Sequence, residues 1–522
     1  MLVKWGRAWR AMIPCAVLVT VVAGCGGTST VASDGGPVGD PKHGGELVMA
    51  VNIESKTLDP AWCPYNYDRC APIFGTLLEY DAESDEMVSA MAESFESTDG
   101  VTWILKLRDG VKFSDGTPYD AEAVAFNWAR IKDPATLSTA TELAAPLTWR
   151  VVDPLTLEVT SATPNFQLPW AMTQGLGMIG SPTAMQEMGA DYGNAPIGAG
   201  PFLLESWTRD TEARYVANPD YWDANLPYLD SFVLKVIKHD DQRLNALRAG
   251  EIDIAWSTQS KDAKTMEAEG FTVHTLPLVG GTGLNLNLED PVLEDPDLRL
   301  AIQKSIDPKG INAAVYPGTD SADAFLRPDS EFRDDALGKY PELNLDEAQK
   351  IFDSYLSRTG KSDVTLSFNV HAGIPDLTLV AQVLQSQLQK INGLTVNIEP
   401  VEYGALETMR RAGDFQMVLG STLSQQMDAL YDTFHSGGKN NITGFSNPEV
   451  DAALETTRTS NDPEDVKAAY QTVNGVVSED APIRTWRYPE GYIFSQKDVE
   501  GLKVIGVPSA AGVIVDEVWL NK

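Results

Sequence analysis

The chain has 522 residues, with 40 Lys and Arg against 74 Asp and Glu, for a formal net charge of −34. Such an acidic surface repels phosphate backbones and excludes nucleic acid as a partner. With 43% hydrophobic residues over this length, the chain can build two or three lobes, each around its own core.

The chain opens with "MLVKWGRAWR", where Lys4, Arg7 and Arg10 are the only charges. The apolar run Ala11 to Ala23 follows. A basic start before a short apolar run is the build of a secretory signal, and the run is too short for a permanent membrane span. Val22-Ala23-Gly24-Cys25 resembles the bacterial lipobox, in which the signal is cut before the cysteine and the sulfur receives diacylglycerol. The alternative is an ordinary signal peptide with an incidental Cys25. Residues 25–43, rich in Gly, Ser, Thr and Asp, then form a flexible tether. Removing residues 1–24 takes away three basic and no acidic residues, so the charge deepens from −34 to −37.

"GGELVMAVNI" predicts an opening strand. With Cys15 in the signal and Cys25 acylated, Cys63 and Cys70 of "CPYNYDRC" remain. In an oxidising compartment a short-loop disulfide is favoured over a free pair or a metal site, since no nearby His or Cys completes a zinc shell. "VTWILKLRDGVKF" alternates Val101, Trp103, Leu105 and Leu107 against polar neighbours, the period of a half-buried strand, and Asp109-Gly110 makes a turn. Val124, Trp128 and Ile131 then fall at helical spacing behind Asp120, a candidate N-cap. Amphipathic helices are also predicted in "DLRLAIQKSID", "DEAQKIFDSYL", "PDLTLVAQVLQSQLQKIN" (stopping near Gly393) and "DPEDVKAAYQTVNGVVSEDAP", with a strand in "LTVNIEPVEY". Strands and helices mixed throughout, without a short repeat, indicate α/β lobes rather than a solenoid.

Catalytic patterns are missing. The sequence holds no H-E-x-x-H, G-x-S-x-G or P-loop motif. Its one G-x-G-x-x-G, Gly175 to Gly180, has no clear strand before it and runs directly into Ser181-Pro182, so it reads as a glycine-rich connection. His43, His239, His274, His371 and His435 are scattered, with no pair at metal-ligand spacing. No enzyme, metal or cofactor is expected.

At "WILKLRDGVKFSDGTPYDAEAVAFNWARIKDP" the sequence resembles the bacterial extracellular solute-binding proteins of family 5, the oligopeptide/dipeptide/nickel group of ABC importers. "GGELVMAVNIESKTLDP", "IGAGPFLLESW", "NPDYWDANLPYLDSFVLKVI", "RLNALRAGEIDI", "DPDLRLAIQKSID", "HSGGKNNITGFSNPEVDAAL" and "EDAPIRTWRYPEGYIFSQKDVEGL" resemble further family blocks, in the family's order. The resemblance implies an α/β, two-lobed periplasmic-binding-protein-like fold (type II, hinge closure) with an extra subdomain inserted in the first lobe. Lobe one would comprise 44–75, 196–280 and 488–522, the insertion 76–195, and lobe two 281–487. It also implies a monomeric receptor that encloses a short peptide and delivers it to permease subunits. Alternatives are an oligosaccharide, an opine or a metal chelate as solute, or a peptide sensor without import.

The same resemblance places candidate ligand contacts. Tyr65, Asn66 and Tyr67 follow the Leu-Asp-Pro turn, where family members approach ligand; the alternative is a disulfide-pinned surface loop. Asn285 and Asn287 share one strand face near the interlobe crossover, as ligand contacts or as structural caps. Trp486 and Tyr488 near the return crossing either stack on solute or sit in a core. Many peptide-binding members carry an acidic and aromatic block before the SGG-N-N segment. Ser424, Gln425 and Gln426 replace it here, with Asp428 as its last Asp, so a clamp for a peptide amine is in doubt. At least one of Gln425, Gln426, Met427 and Asp428 is expected to face ligand.

Overall fold

A computed structural model describes residues 39–81, 86–506 and 512–522. Cys25 and the predicted signal lie outside the described residues. No helix among the described residues is long and apolar enough to cross a membrane.

The opening strand forms at Glu46–Val51 and becomes the centre of a seven-stranded sheet. Its neighbours are Ser231–Val236 and Ile254–Ser257, both parallel to it. The full order is Thr272–Pro277, Glu490–Ser495, Ile254–Ser257, Glu46–Val51, Ser231–Val236, Glu212–Ala217 and Phe202–Thr208. Leu47, Met49, Phe232, Leu234, Ile254 and Ile493 supply one apolar face, against which helix Tyr67–Phe74 packs through Ile73 and Phe74.

Between Phe74 and Phe202 the chain builds a separate four-stranded antiparallel sheet, Ala92–Ser97, Thr102–Leu107, Thr156–Ser161 and Leu147–Asp153. Period two holds at Thr102–Leu107, with Trp103, Leu105 and Leu107 buried. Helix Ala121–Lys132 follows, and Asp120 caps it by accepting the Ala123 N–H. Val124, Trp128 and Ile131 face the same core. The stretch from Gly175 to Gly180 follows a short helix, Pro169–Met172, and leads to another at Pro182–Met188. A Cβ on Gly177 would lie 1.9 Å from the Met172 carbonyl oxygen, so packing explains that glycine.

A five-stranded mixed sheet follows, in the order Leu394–Val401, Val364–His371, Met417–Ser424, Val279–Leu286 and Ile483–Thr485. The predicted helices appear as Pro296–Gln303, Leu345–Thr359, Pro375–Leu388 and Pro463–Asp480. The third ends at Leu388, and a turn carries the chain to Gly393, whose φ of +91° suits glycine.

Two segments join the two large sheets. One runs through Leu278, from Thr272–Pro277 into Val279–Leu286; the other, Trp486 to Pro489, returns to Glu490–Ser495. Leu278 N–H donates to the Pro489 carbonyl, so the crossings are bonded to each other. Gly280 and Gly281 sit beside them at φ +91° and +141°, backbone that L side chains rarely adopt.

Candidate functional site

Beside these crossings lies a cleft of about 960 Å³, near the upper end of the roughly 300–1,000 Å³ typical of small-ligand sites. Three parts of the chain wall it. The seven-stranded side contributes His274 to Leu278 and the segment Leu502 to Val504; the stretch after the four-stranded sheet contributes Gln167 and Trp170; the five-stranded side contributes the loop Phe325 to Phe332, with Gln425, Met427 and Tyr470. Apolar side chains therefore alternate with a few polar groups, the usual make-up of a small-molecule site.

Arg327 is one of the charged groups on the cleft wall. Its Nε donates to Asp329 at 2.7 Å and its Nη1 to Glu490 at 2.9 Å, and the second pair joins the Phe325–Phe332 loop to the strand after the return crossing. Burial works to lower its pKa, but these two bonds raise it, so it stays a fixed cation. His274 is pushed down by burial and stays neutral at pH 7. A second cavity of about 700 Å³ shares Arg327 and Asp329 with the cleft and includes Tyr488. There the Tyr488 hydroxyl donates to Asp323 at 2.7 Å. Burial works against the Asp323 carboxylate, but bonds from Tyr488, Lys339 and Arg333 bring its pKa to about 2. No cluster of His, Cys, Asp and Glu among the described residues has metal-holding geometry.

The predicted contacts divide. Gln425 and Met427 line the cleft, and Tyr488 lines the adjoining cavity. Gln426 lies next to them, its backbone N–H bonded to the Ser424 hydroxyl. Asp428 is engaged: Arg458 grips both its oxygens, at 2.7 and 2.8 Å, and rests 3.4 Å over the Tyr431 ring. Trp486 is fully buried among the core residues of the five-stranded lobe and has no face to offer a solute. Asn287 is a structural cap, with Nδ2 on the carbonyls of Gly413 and Phe415 and Oδ1 receiving the Glu289 N–H. Asn285, 3% exposed, is packed under Gly420 and bonded to the Gly283 carbonyl.

Cys63 and Cys70 are joined as a disulfide. Tyr67 is buried in the core of the seven-stranded lobe, and Asn66 bonds the Trp62 carbonyl. The Tyr65 side chain lies outside the described residues. Arg327, Trp170 and the Thr272–Pro277 edge are cleft groups that sequence reasoning missed. "FLRPDSEF" has no period, and only its buried-type Phe325 and Leu326 beside a Pro hint at an ordered wall.

The model of the bacterial extracellular solute-binding proteins, family 5, matches residues 86–443. The oligopeptide-binding protein AppA of Bacillus subtilis (strain 168) is 26% identical over 540 residues, covering 97% of each chain. Among solved structures, the Helicobacter pylori periplasmic binding protein DppA in complex with peptide STSA is 22% identical, with a TM-score of 0.75, over 92% of this chain and 99% of its own. AgaA from A. tumefaciens R10, in complex with agropinic acid, is also 22% identical, with a TM-score of 0.73 and the same coverage. These likenesses establish the two-lobed binding-protein fold, in which the cleft lies between the lobes. The chain belongs to the bacterial extracellular solute-binding proteins of family 5, which bind rather than transform their solutes.

Proposed function

We propose that this chain is the lipid-anchored receptor of an ABC importer, capturing short peptides between its lobes and delivering them to a membrane permease. The cleft carries the reading: its walls come from both lobes, so a solute inside it touches both and favours the closed arrangement. In this reading lobe one comprises 44–75, 196–280 and 488–522, the inserted subdomain 76–195, and lobe two 281–487. Acylation of Cys25 would hold a monomer at the outer face of the cytoplasmic membrane, and residues 25–43 would let it move there. The peptide-binding name of the Bacillus relative supports the solute class.

One observation favours a second solute class. Arg458 already occupies both Asp428 oxygens, so Asp428 is not free to hold the amine of a peptide. An oligosaccharide, an opine or a metal chelate fits that arrangement, and the agropinic acid complex lies within the same fold. Mass spectrometry of solute released on denaturation, followed by titration calorimetry with peptide and non-peptide panels, tests both. Peptide binding with heat uptake or release supports the first reading. Binding by the non-peptide panel alone transfers the role to the second.

A further inference from the structure

Beside the cleft, from its wall residues Gln167 and Gln425 outward, hydrogen bonds join the two sides of the chain. On the inserted side the donors are fixed in place. Asn165 N–H bonds the Gly100 carbonyl and its side chain receives the Gln167 N–H at 2.9 Å. On the five-stranded side the acceptors end helix Pro448–Thr459. The last carbonyls of any helix lack intrahelical donors and carry its negative pole. Two of them are supplied from the opposite wall: Phe166 N–H donates to the Arg458 carbonyl at 2.8 Å and Gln167 Nε2 to the Thr457 carbonyl at 3.1 Å. The paired Arg458–Asp428 side chains pin that helix end to its own lobe.

A third bridge stands apart from the first two. Gly506 N–H donates to Gln425 Oε1 at 2.7 Å, while Gln174 Nε2 of the inserted side holds the Gly506 carbonyl at 2.8 Å. A Cβ on Gly506 would lie 2.3 Å from the Gln425 Cβ, so the approach depends on glycine.

We infer that these three bonds form a latch that favours the closed receptor independently of solute. They need no ligand atom, and parting the lobes would leave the acceptors to water. Solute would then be selected by a receptor that opens transiently, rather than one that waits open. The inference rests on the hinge-closure reading but not on the identity of the solute.

Hydrogen exchange of the full chain, stripped of solute by unfolding and refolding and checked by mass spectrometry, tests it. The Phe166 and Gly506 amides should be protected in the stripped wild type. Gly506→Ala should speed exchange at the distant Phe166 amide by about tenfold and enlarge the scattering radius, while core amides such as Phe368 stay protected. If Gly506→Ala does not fold, Gln167→Leu should produce the same gain at Gly506. Unprotected Phe166 and Gly506 amides in the stripped wild type, or a folded variant that leaves the distant amide unchanged, would overturn the latch. Either result leaves the calorimetric test of solute binding to be read separately.

Discussion

Gln425 and Trp486 were equivalent candidates as residues in a sequence, and their surroundings separate them. Gln425 stands in the cleft wall and Trp486 is sealed in a core. Trp486→Ala should therefore lose about 3–5 kcal/mol of stability, as large core truncations do. Gln425→Ala removes the acceptor of the Gly506 N–H as well as part of the cleft wall, so it should cost only about 1 kcal/mol of stability and weaken solute binding; urea unfolding beside calorimetry checks both. Arg458→Met removes one partner of a partly buried ion pair and leaves Asp428 unmatched, at a cost of about 1–3 kcal/mol read by the same unfolding curves. What decided these roles was burial and pairing across long sequence distances. Arg458 lies 30 positions from Asp428, and Glu490 lies 163 from Arg327. No local pattern encodes such partners, which is why Arg327 went unseen.

Individual elements were easier to read. Periodicity located Thr102–Leu107 and Ala121–Lys132 because each must bury one face, and Asp120 marked the helix start because its carboxylate satisfies an orphan N–H. Sheet order could not be read, since the register of Glu46–Val51 on Ser231–Val236 joins segments separated by 185 residues. The Cys63–Cys70 link ties the helical turn Pro60–Asn66 to helix Tyr67–Phe74 and closes a short loop. Replacing both cysteines with Ala should cost about 2–3 kcal/mol, from the chain entropy regained by so short a loop. In and beside that helix lie three carboxyls, Asp68 and Glu79 half-buried and Asp516 buried. Burial lifts Asp68 to about 6, against the Val513 N–H and the Arg69 charge, which favour the carboxylate. Burial also raises Glu79 and Asp516, with Asp516 and Glu517 adding to the rise at Glu79 and Lys503 opposing it. Groups whose folded pKa is raised bind protons more tightly in the native state. Their contribution is complete below the unfolded value near 4 and is lost as pH climbs through 6 and above. Thermal melts should thus show the protein more stable at pH 5 than at pH 8, and Asp68→Asn should flatten the lower part of that slope.

Across the whole molecule the excess of acid sets the response to salt. A net charge of −34 repels itself in the compact state. Screening at ordinary ionic strength should therefore raise the melting temperature relative to low salt, until the Debye length falls to about 10 Å near 0.1 M. If the melting temperature fell with added salt, the native ion pairs would outweigh the net repulsion.

The double crossing between the sheets also bears on the birth of the molecule. The five-stranded sheet is drawn from one unbroken stretch, Val279 to Thr485, and can assemble as soon as that stretch is available. The seven-stranded sheet cannot. Glu490–Ser495 is wedged between Thr272–Pro277 and Ile254–Ser257, so the partner of those two strands arrives more than two hundred residues after them. A nascent polypeptide thus carries an unfinished sheet until Glu490–Ser495 emerges, and through that interval two of its strands wait with an open edge between them.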